Sequence, residues 1–64
     1  MTSYGKELWI IYVLLDDDVP MVRLGALELL NVAEPDRKRF ALIVERMKAD
    51  SDSRVVELAH VFAP

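Results

Sequence analysis

The chain is expected to fold as an all-α protein, four antiparallel helices in one small domain. Three observations lead there. Apolar residues recur at helical spacing, acidic and proline residues stand where helices should begin, and a ten-residue stretch returns in altered form 33 positions later.

The first element is the hardest to read. Leu8 to Leu15 is an unbroken apolar run that passes straight into Asp16, Asp17 and Asp18. Its Trp, Ile, Tyr and Val residues favour strands, and a buried strand is the alternative. A lone strand would have nothing to pair with, because no second strand pattern exists in the chain. A helix over about 3–15 puts Leu8, Ile11, Tyr12 and Leu15 on one stripe and leaves Trp9, Ile10, Val13 and Leu14 beside it. That helix has either two buried faces or one buried face and one that meets a partner.

Pro20 opens the second element, expected over 20–33. Proline suits a helix's first turn, where its missing N–H loses no partner. Only Arg23, Glu28, Asn31 and Glu34 are polar here, so the helix should be covered on most sides. Gly25 costs about 1 kcal/mol against alanine inside a helix, a cost that close helix packing would offset. The third element, over 36–49, has the clearest period: Phe40, Ile43, Val44 and Met47 form its inner face. The fourth, over 53–62, starts at Asp52 by capping chemistry and turns Val55, Leu58, Ala59 and Phe62 inward.

The totals limit what these helices can do. A 64-residue chain is one domain at most, with a small core. It has no cysteine, which fits a reducing compartment and removes thiolate chemistry and cysteine-ligated zinc. No secretory signal is visible near Met1, and the apolar run is about half the ~20 residues a membrane span needs. A soluble, cytoplasmic protein is expected, with Met1 fitting the start of a gene product. Net charge is −3, split unevenly. Residues 1–34 carry two basic and six acidic groups, while residues 35–64 carry six basic and five acidic groups. An acidic half disfavours direct nucleic-acid binding and favours a partner with a basic surface.

The repeat aligns Asp17-Asp18-Val19-Pro20-Met21-Val22-Arg23-Leu24-Gly25-Ala26 with Asp50-Ser51-Asp52-Ser53-Arg54-Val55-Val56-Glu57-Leu58-Ala59. These residues resemble short HEAT-like repeats of the phycobilisome-lyase type, whose motif runs roughly Asp-x-Asp-Pro-x-Val-Arg-x-x-Ala. The first copy has Pro20, Val22, Arg23 and Ala26, with Val19 in place of the second Asp. The second has Asp50, Asp52, Val55 and Ala59, with Ser53 for proline and Val56 for arginine. The resemblance implies a right-handed stack of about two repeats and an interaction surface rather than a reaction. Equivalent loops would then lie side by side. That gathers Asp16, Asp17, Asp18, Asp50 and Asp52 into one acidic ridge, with Arg37, Lys38 and Arg39 at the opposite edge.

Other chemistries fit less well. The adjacent aspartates lack the spacing, glycine and terminal glutamate of a calcium loop, so no metal site is expected. Glu57-x-x-His60 matches one element of a di-iron bundle, but this chain has a single histidine. Ser53 reads as a helix-start residue rather than a nucleophile for His60. Arg37-Lys38-Arg39-Phe40 could touch phosphates, yet Phe40 belongs to the core stripe. Trp9 and Tyr12 are candidates for a hydrophobic interface, with Tyr12 leaning to the core. No catalytic residue and no cofactor is expected.

The reading is a non-catalytic protein-binding protein. Its most concrete form is a small acidic inhibitor that occupies a basic nucleic-acid-binding surface of a host defence complex, similar in size and charge to anti-CRISPR proteins. One rival is a HEAT-like adaptor that homodimerises through Leu8–Leu15. A small hydrolase or metal enzyme around His60 is the third reading.

Overall fold

The computed structural model describes residues 4–63 and is all-α. Four helices follow in chain order: α1 (Tyr4–Leu14), α2 (Pro20–Ala33), α3 (Arg37–Met47) and α4 (Ser53–Phe62). Ser3, expected at the start of the first helix, lies outside the described residues. α2 is the hub. It packs against α1, α4 and, more lightly, α3, and α3 packs on α4. The Cα envelope is a thin slab of 37 × 26 × 13 Å.

The helix ends themselves repeat. α3 starts and stops 33 residues after α1, and α4 starts 33 residues after α2. The turns between them repeat as well. In the first, the Asp16 and Asp17 N–H groups donate to the Val13 and Leu14 carbonyls. In the second, Ala49 and Asp50 donate to Arg46 and Met47. The molecule is therefore two helical hairpins of one design, α1–α2 and α3–α4, joined chiefly by α2 lying on α4.

The core is what the periodicity marks. Phe40, Val44 and Met47 of α3 and Val55 and Ala59 of α4 are buried, with Ile43, Leu58 and Phe62 partly so. The Phe40 and Phe62 rings meet edge-tilted, their centroids 5.8 Å apart. Ala26 and Ala59, equivalent by the 33-residue step, are both buried. α2 contributes Leu27 and Leu30, neither with any exposed surface, and α1 ends on buried Leu15.

The structure settles or changes four readings. The strand alternative for Leu8–Leu15 gives way to a helix through Leu14, because α2 offers it a face to bury. Its stripe of Leu8, Ile11, Tyr12 and Leu15 turns inward, and Trp9, Ile10 and Val13 are exposed. α2 is covered on most sides but not on all: Met21, Leu29 and Val32 face outward, Val32 at 84 % exposure. Gly25 lies on that same outward face, and nothing comes within 4 Å of the position a Cβ would occupy. No packing inside the molecule offsets its cost. Finally, the four polar residues of 20–34 do not all face water. At 100° per residue Arg23 and Glu34 fall beside Leu27 and Leu30 on the inner face, and Glu34 is buried.

Candidate functional site

The corners between helices hold most of the expected site residues. Each corner is closed by an aspartate that accepts the N–H two residues on. Asp17 accepts from Val19 at 2.9 Å, and Asp50 accepts from Asp52 at 2.9 Å. This local turn is why an aspartate stands at both positions.

Arg23 locks the two corners together. Its Nε donates to Asp50 Oδ1 at 2.9 Å and one terminal nitrogen donates to Asp50 Oδ2 at 3.0 Å, a two-bond fork. The other terminal nitrogen donates to the carbonyls of Asp17 at 2.8 Å and Asp18 at 3.2 Å. Both side chains are largely shielded, at 12 % and 11 % exposure. The aspartate corners are therefore neighbours, as the 33-residue step requires. Burial pushes the Asp50 carboxyl up, but the Arg23 guanidinium and the Asp52 N–H outweigh it and hold Asp50 below the usual carboxylate range. The same pairing raises Arg23.

Of the other three ridge aspartates, Asp52 and Asp16 are also engaged. Asp52 caps α4 by accepting the Arg54 N–H, and it pairs with the Arg54 guanidinium at 3.1 Å. That side-chain pair, then the cap, draws Asp52 down to about 2. Asp16 pairs with Arg46 of α3. Asp18 is exposed, and among the described residues its carboxylate has no hydrogen bond or ion pair. Of the five ridge carboxylates, three are thus paired with arginine. The expected ridge is present as a place but much reduced as a field.

Trp9 and Tyr12 separate. Trp9 is 63 % exposed. Tyr12 turns inward and donates its hydroxyl to Glu34, the one buried charged residue among those described. The other Glu34 oxygen accepts the Asp36 N–H at 3.0 Å. Burial, then the Glu34 carboxylate, pushes the Tyr12 phenol up to about 12. Sequence analysis counts Glu34 only among the polar residues around the second helix. The signal that could have placed it is its register, eleven residues after Arg23 on the buried side.

The remaining candidates offer little to a substrate. His60 and Glu57 are exposed on α4. Arg37 lies 4.5 Å over the Phe40 ring and spends its donors on Asn31 and the Glu34 carbonyl. A shallow cleft of about 380 Å³ is lined by Arg37, Phe40, Ala41, Val44, Glu45 and Phe62, with no nucleophile in it. No group of three or more metal-ligating side chains exists among the described residues, and no helix is long and apolar enough to cross a membrane.

The broadest exposed feature is apolar. Trp9, Ile10 and Val13 on α1, with Met21, Leu29 and Val32 on α2, are all at least 44 % exposed. The other hairpin exposes Leu42 on α3 and Val61 on α4, beside the polar Arg54, Glu57 and His60 of α4. The chain matches no family model, and no curated protein and no solved structure is detectably similar to it.

Proposed function

We propose that this chain is a non-catalytic protein-binding module, built as two short HEAT-like units, that binds through the outer face of its α1–α2 hairpin. The observation that carries this is the set of six exposed apolar side chains on α1 and α2, led by Trp9. Large apolar side chains left in water are costly, and groups of them on small proteins mark contact sites. Tryptophan is enriched among residues that dominate binding energy. The 33-residue repetition of helix ends and corner hydrogen bonds supports the HEAT-like reading.

The second reading is the acidic inhibitor of a basic nucleic-acid-binding surface, of the anti-CRISPR kind. What favours it is the adjacency of the two corners, with Asp18 unpaired among the described residues and Asp16 70 % exposed. Arginine pairing of Asp16, Asp50 and Asp52 places it second.

Trp9 is the only tryptophan, so its fluorescence reports on the face directly. Affinity capture with wild type, Trp9→Ser/Val13→Ser and Asp17→Lys/Asp18→Lys ranks the readings. Loss of the captured protein with the first variant alone, and a blue shift of Trp9 emission on binding, is the expected result. Loss with the second variant alone would favour the acidic reading. Capture unaffected by either would end both.

A further inference from the structure

The two hairpins are joined by a recognisable device. α2 lies on α4 of the second hairpin, and its inner stripe holds Arg23, Leu27 and Leu30, the last two buried. Its arginine reaches across and forks onto the aspartate that closes the next corner. Asp17 is the equivalent aspartate of the first corner. Its Oδ2 is used in the same 2.9 Å turn as that of Asp50, and no described residue donates to its Oδ1. The face of α2 opposite Arg23 carries Met21, Gly25, Leu29 and Val32, bare and apolar, with open space over Gly25. By the 33-residue step, the side of the first hairpin that carries the Asp17 carboxylate corresponds to the side of the second hairpin that receives α2.

We propose that this surface receives a helix of another protein that carries an apolar stripe and an arginine one turn in, the arginine forking onto Asp17 as Arg23 forks onto Asp50. The inference rests on the protein-binding reading and names the partner's chemistry. Two features argue against a second copy of this chain as the occupant. The position equivalent to Arg23 on α4 is Val56, which has no donor to offer. The position equivalent to Leu27 is His60, polar and exposed. The far side of α4 therefore lacks both parts of the device. The charge also fits, since the Asp17 and Asp18 carboxylates, unlike that of Asp16, have no arginine partner among the described residues and attract a cation.

The probe is the chain itself. Val56→Arg/His60→Leu rebuilds on α4 the arginine and leucine that α2 uses. Sedimentation velocity over a concentration series should show wild type as a monomer and the double variant as head-to-tail assemblies, with apparent affinity raised at least tenfold. Adding Asp17→Asn, which keeps the turn but removes the charge, should reverse most of that gain. Val56→Arg alone serves if the double variant loses its helical circular dichroism. A folded variant that stays monomeric, or assembly indifferent to Asp17→Asn, overturns the proposal. So does a wild-type dimer that Met21→Glu dissolves, which would make the occupant a second copy. Each of these leaves the protein-binding reading standing if Trp9→Ser/Val13→Ser still abolishes capture.

Discussion

The corner at Asp17–Pro20 and the corner at Asp50–Ser53 share one backbone and differ in their side chains. Both are closed by the same aspartate hydrogen bond, and both lead into a helix from a residue in extended conformation. At the second corner the aspartate is forked by Arg23 and the next helix is capped by Asp52. At the first, no described residue donates to the outer oxygen of Asp17, and Val19 sits where the cap belongs. The difference shows what a repeat specifies. Chain path follows from turn-forming and helix-opening residues, which both copies keep. Which faces are covered follows from a few positions, 23 against 56 and 27 against 60, where the copies part.

The sharpest way to break the comparison is at its most divergent pair. Leu27 is wholly buried at the centre of the molecule, while its equivalent His60 is exposed. Leu27→Ala should cost about 2–5 kcal/mol, enough to unfold much of a chain this small, whereas His60→Ala should change stability by less than about 0.5 kcal/mol. Thermal melts followed by circular dichroism check both. Similar losses at the two sites would mean that the hairpins are not related by the 33-residue step.

The next effect is electrostatic and depends on pH. Asp50 and Asp52 hold their protons less tightly folded than unfolded, so their stabilising effect is present above the ordinary aspartate value of about 3.9. It is lost as pH falls from there toward about 2. Asp50→Asn leaves the Arg23 guanidinium beside a neutral group, and the melting temperature at pH 7 should drop by roughly 10 °C. The gap to wild type should shrink as pH falls from 4 to 2, because wild type loses the same charge. A gap that stays constant over that range would place the role of Asp50 in its turn rather than in its pairing with Arg23.

Much of this frame was legible in the residues. Helix starts follow from Pro20, Asp36 and Asp52, and the inner faces of α3 and α4 follow from a clean period with one polar side. The adjacency of the corners follows from the repeat. What could not be read was the state of polar groups inside an apolar context. Arg23 and Glu34 look like solvent residues by type, and each is drawn inward by a partner far along the chain, Asp50 for one and Tyr12 for the other. Nor does an apolar run state which of its faces will find cover. Trp9 and Leu15 are equally greasy, and only the position of α2 makes one exposed and the other buried. The acidic ridge is weakened as a field for the same reason: a carboxylate's charge is visible in sequence, but the arginines that pair with Asp16 and Asp50 are about 30 residues away.

The smallest effect tests whether the first corner can be made like the second. Val19 precedes α2 with φ −86° and ψ 118°, close to the −100° and 127° of Asp52 before α4. The backbone is already shaped for a cap, and Pro20 donates nothing, so the Met21 N–H is the first donor that a side chain at 19 could satisfy. Val19→Asp should therefore stabilise the protein, as Asp52 does by accepting the Arg54 N–H. A full cap is worth about 1 kcal/mol, and the favourable end of the helix dipole adds to it. Against this stands the repulsion of a fourth consecutive aspartate after Asp16, Asp17 and Asp18, which salt screens. The net gain expected is about 0.5 kcal/mol at low ionic strength, rising in 0.5 M salt. Val19→Asn offers the cap without the charge, and its gain should not depend on salt. If neither substitution raises the melting temperature, the two corners are alike in path only, and the first is held by Arg23 from within rather than by its own helix start.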